Sequence, residues 1–172
     1  FARRTTRTRS PGGGAPVRQD GQAGAVGLAG RLDGDGRSGL GQAVAGPHRP
    51  AEGAGEGPIQ QRLSSLAQRL RLWIIAGTIP MRIPGERRVA AASLVFDASG
   101  AQVARYDKMH LFDVDLPGKA ESHRESTNIA PGAAPVLVDT PAGRIGLSVC
   151  YDMRFPELFR AMSAAGAEGF VI

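Results

Sequence analysis

The sequence predicts an α/β domain over residues 58–172, preceded by a segment of different character over residues 1–57. Three observations lead to this prediction. Residues 58–71 repeat apolar side chains at helical spacing. Several later apolar runs have the length and composition of strands. The large side chains become rare before residue 58: 15 of the 24 glycines lie in residues 1–57, whereas eight of the nine aromatic residues lie at or after Trp73.

The elements of the domain begin with a helix, which is followed by a predominantly extended stretch. Pro58 stands in the first turn of the predicted helix, where proline is well tolerated. The continuous apolar run that follows predicts a buried strand ending at Pro80. A polar turn over 84–88 then leads to two strands, and a short connection over 98–100 indicates that they form a hairpin. The predicted bounds are 58–71 for the helix and 72–79, 89–97 and 101–106 for the strands.

The second half of the domain opens with an irregular stretch over residues 108–132. Two more strands are expected around a Thr-Pro-Ala-Gly turn, and an apolar helix near the end is stopped at Gly166. The predicted bounds are 135–139 and 144–149 for the strands and 155–165 for the helix, with a further strand beginning at Gly169. The sequence ends inside that strand and lacks an initiator Met, so we expect it to be truncated at both ends.

The segment 1–57 is rich in Gly, Arg and Ala and has almost no large apolar side chains. Such a chain cannot bury enough surface to offset the entropy lost on ordering. We therefore expect it to be disordered, or to be an out-of-frame translation of GC-rich DNA.

Composition excludes several classes of function. The domain carries 13 basic and 11 acidic residues, which is too balanced for a nucleic-acid-binding face. The longest apolar run is too short for a membrane helix. One cysteine excludes a disulfide framework and indicates a reducing compartment, so the expected location is cytoplasmic. His48, His110 and His123 lack metal-ligand spacing, and the Gly34…Gly39 match to a dinucleotide fingerprint has no preceding strand. We therefore expect no metal and no cofactor.

Cys150 and Lys108 are the residues with reactive potential. Cys150 stands between a predicted strand and a helix, where backbone N–H groups of the following turn can stabilise an oxyanion. The alternative is a small buried core residue. Lys108 is one of two lysines in the chain, and its ammonium can stabilise a thiolate or an oxyanion. The alternative is a solvated strand end.

Four segments together point to one family. They are GTIP (77–80), YDKMHLFDVDLPG (106–118), the block from Glu125 to the APG of 130–132, and GLSVCYDMRFPEL (146–158). In this order they resemble the nitrilase (carbon–nitrogen hydrolase) superfamily, and most closely its omega-amidase and deaminated-glutathione amidase branch. The resemblance covers about residues 58–172.

The resemblance implies a partial four-layer α-β-β-α sandwich, usually paired as a homodimer, with a Glu-Lys-Cys site. Cys150 matches the nucleophile, Lys108 the catalytic lysine, and Glu125 a second acid that holds the lysine. The implied reaction is hydrolysis of a small carboxylated amide through a Cys thioester. Tyr151 and Arg154 are expected to shape the pocket or bind the substrate carboxylate; an ion pair with Glu157 is the alternative for Arg154.

One departure from the family pattern concerns the general base. The family places this glutamate on an early strand, after aliphatic residues and a proline. Glu52 follows Pro50 and Ala51 but has no apolar strand before it, and Glu56 lies between glycines. We assign neither, so we expect the activity of this chain to be impaired.

Three other functions remain open at this point. A nitrilase or an N-carbamoyl hydrolase would use the same scaffold. A catalytically inactive interaction protein would keep the fold without turnover. A papain-like arrangement would pair Cys150 with His110 or His123, in which case Lys108 would be dispensable.

Overall fold

The computed structural model describes residues 25–29, 51–115 and 122–172. Within these ranges the chain forms two α-helices and nine strands, which are arranged in three sheets. Their bounds, in chain order, are β1 Ala25–Ala29, α1 Pro58–Leu70, β2 Trp73–Arg82, β3 Val89–Phe96, β4 Gln102–Asp107, β5 Asp113–Asp115, β6 Ser122–Arg124, β7 Val136–Thr140, β8 Gly143–Leu147, α2 Pro156–Ala164 and β9 Gly169–Val171.

Helix α1 forms as its sequence predicts. Pro58 occupies the first turn, where the missing N–H leaves no helical bond unmade. Leu63 and Leu66 lie on the inner face beside the fully buried Ala67. The helix ends at Leu70. Arg71 follows in a left-handed conformation with φ of 52°, and its backbone N–H donates to the carbonyl of Gln68 in the last turn. The predicted helix is confirmed.

The first sheet has the strand order β1-β2-β3-β4, with β1 parallel to β2 and the other pairs antiparallel. The prediction that the strand after the helix ends at Pro80 is wrong, because β2 continues to Arg82. The carbonyl of Pro80 accepts from the backbone N–H of Glu52 at 3.0 Å, so the backbone of Pro80 faces away from β3. A missing N–H on that side removes no bond to β3.

Alternating side chains of the first sheet serve two different layers. Ile74, Leu94 and their neighbours of the same parity pack against α1. Ile75 and Val95, one residue further along each strand, face the opposite way and pack against the second sheet. The first sheet is therefore buried on both faces, which agrees with the continuous apolar character of β3.

The second sheet has the order β7-β8-β9 and completes the sandwich. Leu147 of β8 points into the inter-sheet core with Tyr106 of β4. Gly146 faces outward, and a Cβ there would overlap Met162 of α2 and Phe170. Helix α2 thus covers the outer face of this sheet, and the layers follow the expected α-β-β-α order.

Two regions differ from the expected organisation. The irregular stretch 108–132 contains the small sheet of β5 and β6 and a 3₁₀ turn at Glu125–Thr127. At the other end, residues 51–57, which we placed in the N-terminal segment, lie within the fold. Glu52 is buried there and its backbone pairs with Met81 of β2. Strand β1, also from that segment, pairs with β2; the rest of the segment lies outside the described residues.

Candidate active site

Lys108 directly follows β4, which ends at Asp107. Its backbone N–H donates to the carbonyl of Ala91, and its own carbonyl accepts from Gly132 at 2.8 Å. A Cβ at Gly132 would overlap the carbonyl of Asp107, so only glycine allows this close approach. The segment around Gly132 therefore fixes the backbone of Lys108 from the outside.

The side chain of Lys108 is 2% exposed and ends in an ion pair with Glu125. The Nζ–Oε2 distance is 2.6 Å, and Glu125 is 14% exposed. The same carboxylate oxygen accepts from the backbone N–H of Phe112 at 2.6 Å. A charge withdrawn from water needs such a partner, so Glu125 holds the ammonium in one place. The structure brings these two predicted site residues together.

Cys150 is exposed and has a φ of 48°. It begins a 3₁₀ helix that ends at Arg154, directly after the buried Ser148 and Val149. A non-glycine residue in the left-handed region is strained, and a thiol in that setting projects from a sharp strand-to-helix turn. The first N–H groups of a helix lack partners within it, and Cys150 is the first residue of this one.

Asp152 is a residue of the site that sequence reasoning missed. It is fully buried and its two carboxylate oxygens accept four hydrogen bonds. The donors are the backbone N–H of Val149 at 2.9 Å, the Tyr106 hydroxyl at 2.7 Å, and both the backbone N–H and the ring Nδ1 of His110 at 2.9 and 2.7 Å. In the sequence, an acid two residues after a cysteine does not indicate a role in the site, because the direction of its side chain depends on the 3₁₀ turn.

Tyr106 connects the two segments that carry the reactive groups. It is fully buried between the sheets, two residues before Lys108, and it binds the acid two residues after Cys150. Burial, the hydrogen bond to Asp152 and the charge of that carboxylate together raise the pKa of the Tyr106 phenol well above its usual range. The hydroxyl therefore remains a donor over the ordinary pH range.

Tyr151 and Arg154 have different surroundings. Tyr151 is half-buried and makes edge contacts with Phe112 and Phe155, at ring-centroid distances of 5.0 and 5.6 Å. Arg154 is exposed and makes no ion pair within the described ranges. The alternative partner that we considered for it, Glu157, instead binds Arg160 at 3.1 Å.

The two histidines near the site have other contacts. The ring of His110 stacks on Phe155 at a centroid distance of 3.7 Å while its Nδ1 binds Asp152. His123 lies in β6, at a centroid distance of 6.0 Å from Phe112. Among the described residues neither ring is hydrogen-bonded to Cys150, and no cluster of three or more His, Cys, Asp or Glu is arranged to hold a metal ion.

Glu52, which sequence analysis left unassigned, lies at the start of α1. Its carboxylate accepts from the backbone N–H groups of Ile59 and Gln60 at 2.6 and 3.1 Å, and from the Gln60 amide at 3.0 Å. These donors belong to the helix on the outer face of the first sheet, whereas Lys108 follows Tyr106 on the inner face. Glu52 therefore binds the start of α1, whereas Glu125 binds Lys108.

A comparison with protein families agrees with this fold and with the segments that carry Lys108, Glu125 and Cys150. The carbon-nitrogen hydrolase family model matches residues 37–172, and the chain belongs to this family. The match begins before Pro58 and includes the Glu52 segment. None of the described helices is long and apolar enough to cross a membrane.

Individual relatives narrow the comparison to one branch. The chain is 46% identical over 120 residues to a deaminated glutathione amidase of Yersinia enterocolitica, covering 69% of this chain and 42% of that protein. It is 39% identical over 112 residues to the omega-amidase NIT2 of Homo sapiens, covering 65% of this chain and 40% of that protein. The chain thus spans about two-fifths of the length of these relatives.

A solved structure agrees with the fold. Nit3 of Saccharomyces cerevisiae, a member of branch 10 of the nitrilase superfamily, superposes with a TM-score of 0.59 at 29% identity. The superposition covers 76% of this chain and 44% of that structure.

Proposed function

We propose that this chain carries the Lys-Glu-Cys part of an amidase that acts on a small amide bearing a carboxylate. The observation that carries the proposal is the buried Lys108–Glu125 pair, whose segment is tied through Tyr106 and Asp152 to the turn that exposes Cys150. The names of the relatives, an omega-amidase and a deaminated glutathione amidase, support an amide substrate that also carries a carboxylate.

In the first step the Cys150 thiolate attacks the amide carbonyl carbon. The carbonyl oxygen becomes an oxyanion, which the Lys108 ammonium and the backbone N–H of Tyr151 stabilise. The carbon–nitrogen bond then breaks and leaves a thioester on Cys150. The leaving nitrogen takes up the proton that the thiol has lost and departs as ammonia, and this proton transfer requires an acid–base group.

In the second step water attacks the thioester and restores the thiol, releasing the carboxylic acid. An acid–base group must take a proton from that water and return one to the sulfur. Glu52 is engaged at the start of α1 and Glu125 is paired with Lys108, so we assign no general base within the described residues. Loss of such a group costs about 10²–10⁴-fold in rate, and we propose that this chain turns over slowly.

Arg154 and Tyr151 are the proposed substrate-binding residues. Arg154 is exposed four residues after the nucleophile, and a guanidinium binds a carboxylate through two parallel hydrogen bonds. The ring of Tyr151, the residue after Cys150, packs against two aromatic neighbours, which supports a role in shaping the pocket.

Ammonia release from the monoamide of a short dicarboxylic acid tests the proposal. We expect release that Cys150→Ala and Lys108→Met abolish, and that His110→Ala and His123→Ala leave measurable. Arg154→Ala should raise KM about tenfold for the carboxylated amide only, whereas Arg160→Ala, at an exposed arginine six residues further on, should not. Release that survives Cys150→Ala would contradict the proposal. Faster turnover of a nitrile or an N-carbamoyl amino acid would assign the scaffold to those reactions instead.

The unassigned general base has its own test. Resequencing the DNA upstream of codon 37, where the family match begins, shows whether such a residue is encoded there in another frame or ahead of residue 1. A one-base shift that restores an aliphatic-Pro-Glu strand would predict full activity in the corrected protein. An unchanged frame with no such strand encoded upstream would favour an inactive scaffold, whose role would be interaction.

We also propose that the complete protein is a cytoplasmic homo-oligomer. The single cysteine supports a reducing compartment, since a reactive thiol must remain unoxidised there. Light scattering after size exclusion measures the oligomer directly, and a monomer would refute this part of the proposal.

A further inference from the structure

We infer that Asp152 is a positioning residue, whose carboxylate fixes the Cys150 turn to the segment that carries Lys108. This inference rests on the proposed function, because it concerns where the thiol stands relative to the ammonium. The role assigned to Asp152 is to hold the backbone beside the two reactive side chains, without a part in making or breaking bonds.

Asp152 holds the turn that carries Cys150. One oxygen of Asp152 accepts from the backbone N–H of Val149, the residue before Cys150. The backbone N–H of Asp152 in turn donates to the carbonyl of Val149 at 3.1 Å. Cys150 is thus enclosed by a two-bond ring, which stabilises its φ of 48° against the strain of that conformation.

Asp152 also holds the segment that carries Lys108. The same oxygen that binds Val149 accepts from the Tyr106 hydroxyl, and the other oxygen accepts from two groups of His110. Tyr106 and His110 lie two residues before and two residues after Lys108. Asp152 is therefore hydrogen-bonded to residues on both sides of Lys108, and its two bonds to Val149 close a ring around Cys150.

The hydroxyl of Tyr106 is the contact that can be removed most cleanly. Its ring lies in the core between the sheets, so Tyr106→Phe keeps the packing and all charges. It removes the hydroxyl's bond to Asp152 at 2.7 Å and the weaker bond that the hydroxyl accepts from the backbone N–H of Met109 at 3.3 Å. Asp152→Asn removes the charge and half of the acceptor capacity at nearly constant volume. A merely electrostatic role and a positioning role then predict opposite signs. Removing a negative charge beside a thiolate speeds its reactions, whereas moving the thiolate from its ammonium slows them.

The test is the alkylation rate of Cys150 by iodoacetamide at neutral pH in the 172-residue chain. Cys150 is its one cysteine and is exposed, so the signal is unambiguous. It also requires no turnover. We expect Tyr106→Phe to slow alkylation by roughly threefold to tenfold, and Asp152→Asn to slow it further. Ser64→Ala is the matched control: it removes a hydrogen bond of 2.6 Å to Gly100 at the outer helix and should leave the rate unchanged. All rates are read where circular dichroism shows each variant folded.

The variant Lys108→Met distinguishes a failure of the positioning role from a failure of the proposed function. If Lys108→Met does not slow alkylation, the proposed function fails together with this inference. If Lys108→Met slows it but Tyr106→Phe does not, or Asp152→Asn speeds it, the positioning role is refuted while the proposed function stands.

Discussion

At the residue scale, the ammonium of Lys108 is almost completely removed from water, and one carboxylate oxygen is the described partner that compensates it. Taking a charge into the interior costs several kcal/mol, which only a close partner repays. The pair therefore contributes little net stability while both members are present, and removing either one leaves the other uncompensated.

Glu125→Ala should lower the free energy of unfolding by about 3–5 kcal/mol, because it strands the Lys108 ammonium. The double variant Lys108→Met with Glu125→Ala should recover most of that loss, since no buried charge remains. Urea unfolding of the two single variants and the double variant gives the coupling. Additive losses would show that the two side chains do not depend on each other.

Tyr106 gives the protein a dependence on alkaline pH. Its folded-state pKa lies above the ordinary value of 10.0, so above about pH 10 the unfolded chain loses a proton that the folded chain keeps. Stability from this group is complete below pH 10 and declines as the pH rises. The difference in free energy of unfolding between wild type and Tyr106→Phe should be largest at neutral pH and shrink above pH 10. A difference that stays constant to pH 11 would contradict this.

At the scale of the elements, Glu52 takes the place of a capping side chain for α1. The residue at the N-cap position is Gly57, which has no side chain to offer. The Glu52 carboxylate, seven residues before Ile59, binds the first N–H groups instead and adds its negative charge at the positive end of the helix dipole. A Cβ at Gly57 would overlap this carboxylate, which explains the glycine.

Glu52→Ala should destabilise the protein by about 1–3 kcal/mol, because it leaves two helix N–H groups and the Gln60 amide without their acceptor. Glu56→Ala is the matched control: Glu56 is exposed in the same segment and should change stability by less than about 0.5 kcal/mol. Thermal unfolding measures both. Cys150 alkylation should be the same in both variants, and a selective loss in Glu52→Ala would place Glu52 in the active site instead.

At the scale of the whole molecule, the sequence predicts most elements of the folded part. The period of Ile59, Leu63 and Leu66 defines α1, although Leu70, the fourth apolar position of that pattern, is 51% exposed. The hairpin and turn residues place the ends of β3, β4, β7 and β8 to within one or two residues. It misplaces the end of β2, because whether Pro80 breaks a strand depends on which side of the sheet its nitrogen faces. It also misses β5 and β6, since strands of three residues carry no period.

The sequence likewise predicts some residues of the candidate site and misses others. Lys108, Glu125 and Cys150 stand in segments whose residue patterns are distinctive, so a family resemblance identifies them. Asp152 and Tyr106 act through their tertiary positions, and sequence spacing does not show that residues 46 apart share a hydrogen bond. The sequence likewise indicates no role for Glu52, because that role depends on the position of the helix that it caps.

The most direct test of the account is covalent labelling of Cys150 by fluoroacetamide, followed by intact mass. The carbon–fluorine bond resists ordinary thiols, so displacement of fluoride requires an activated thiolate beside a bound amide. We predict one acetamide adduct on the wild-type chain, none on Cys150→Ser, and labelling at least about tenfold slower for Lys108→Met. A folded wild-type chain that stays unlabelled, or equal labelling of Lys108→Met, would contradict the proposed Lys-Glu-Cys site.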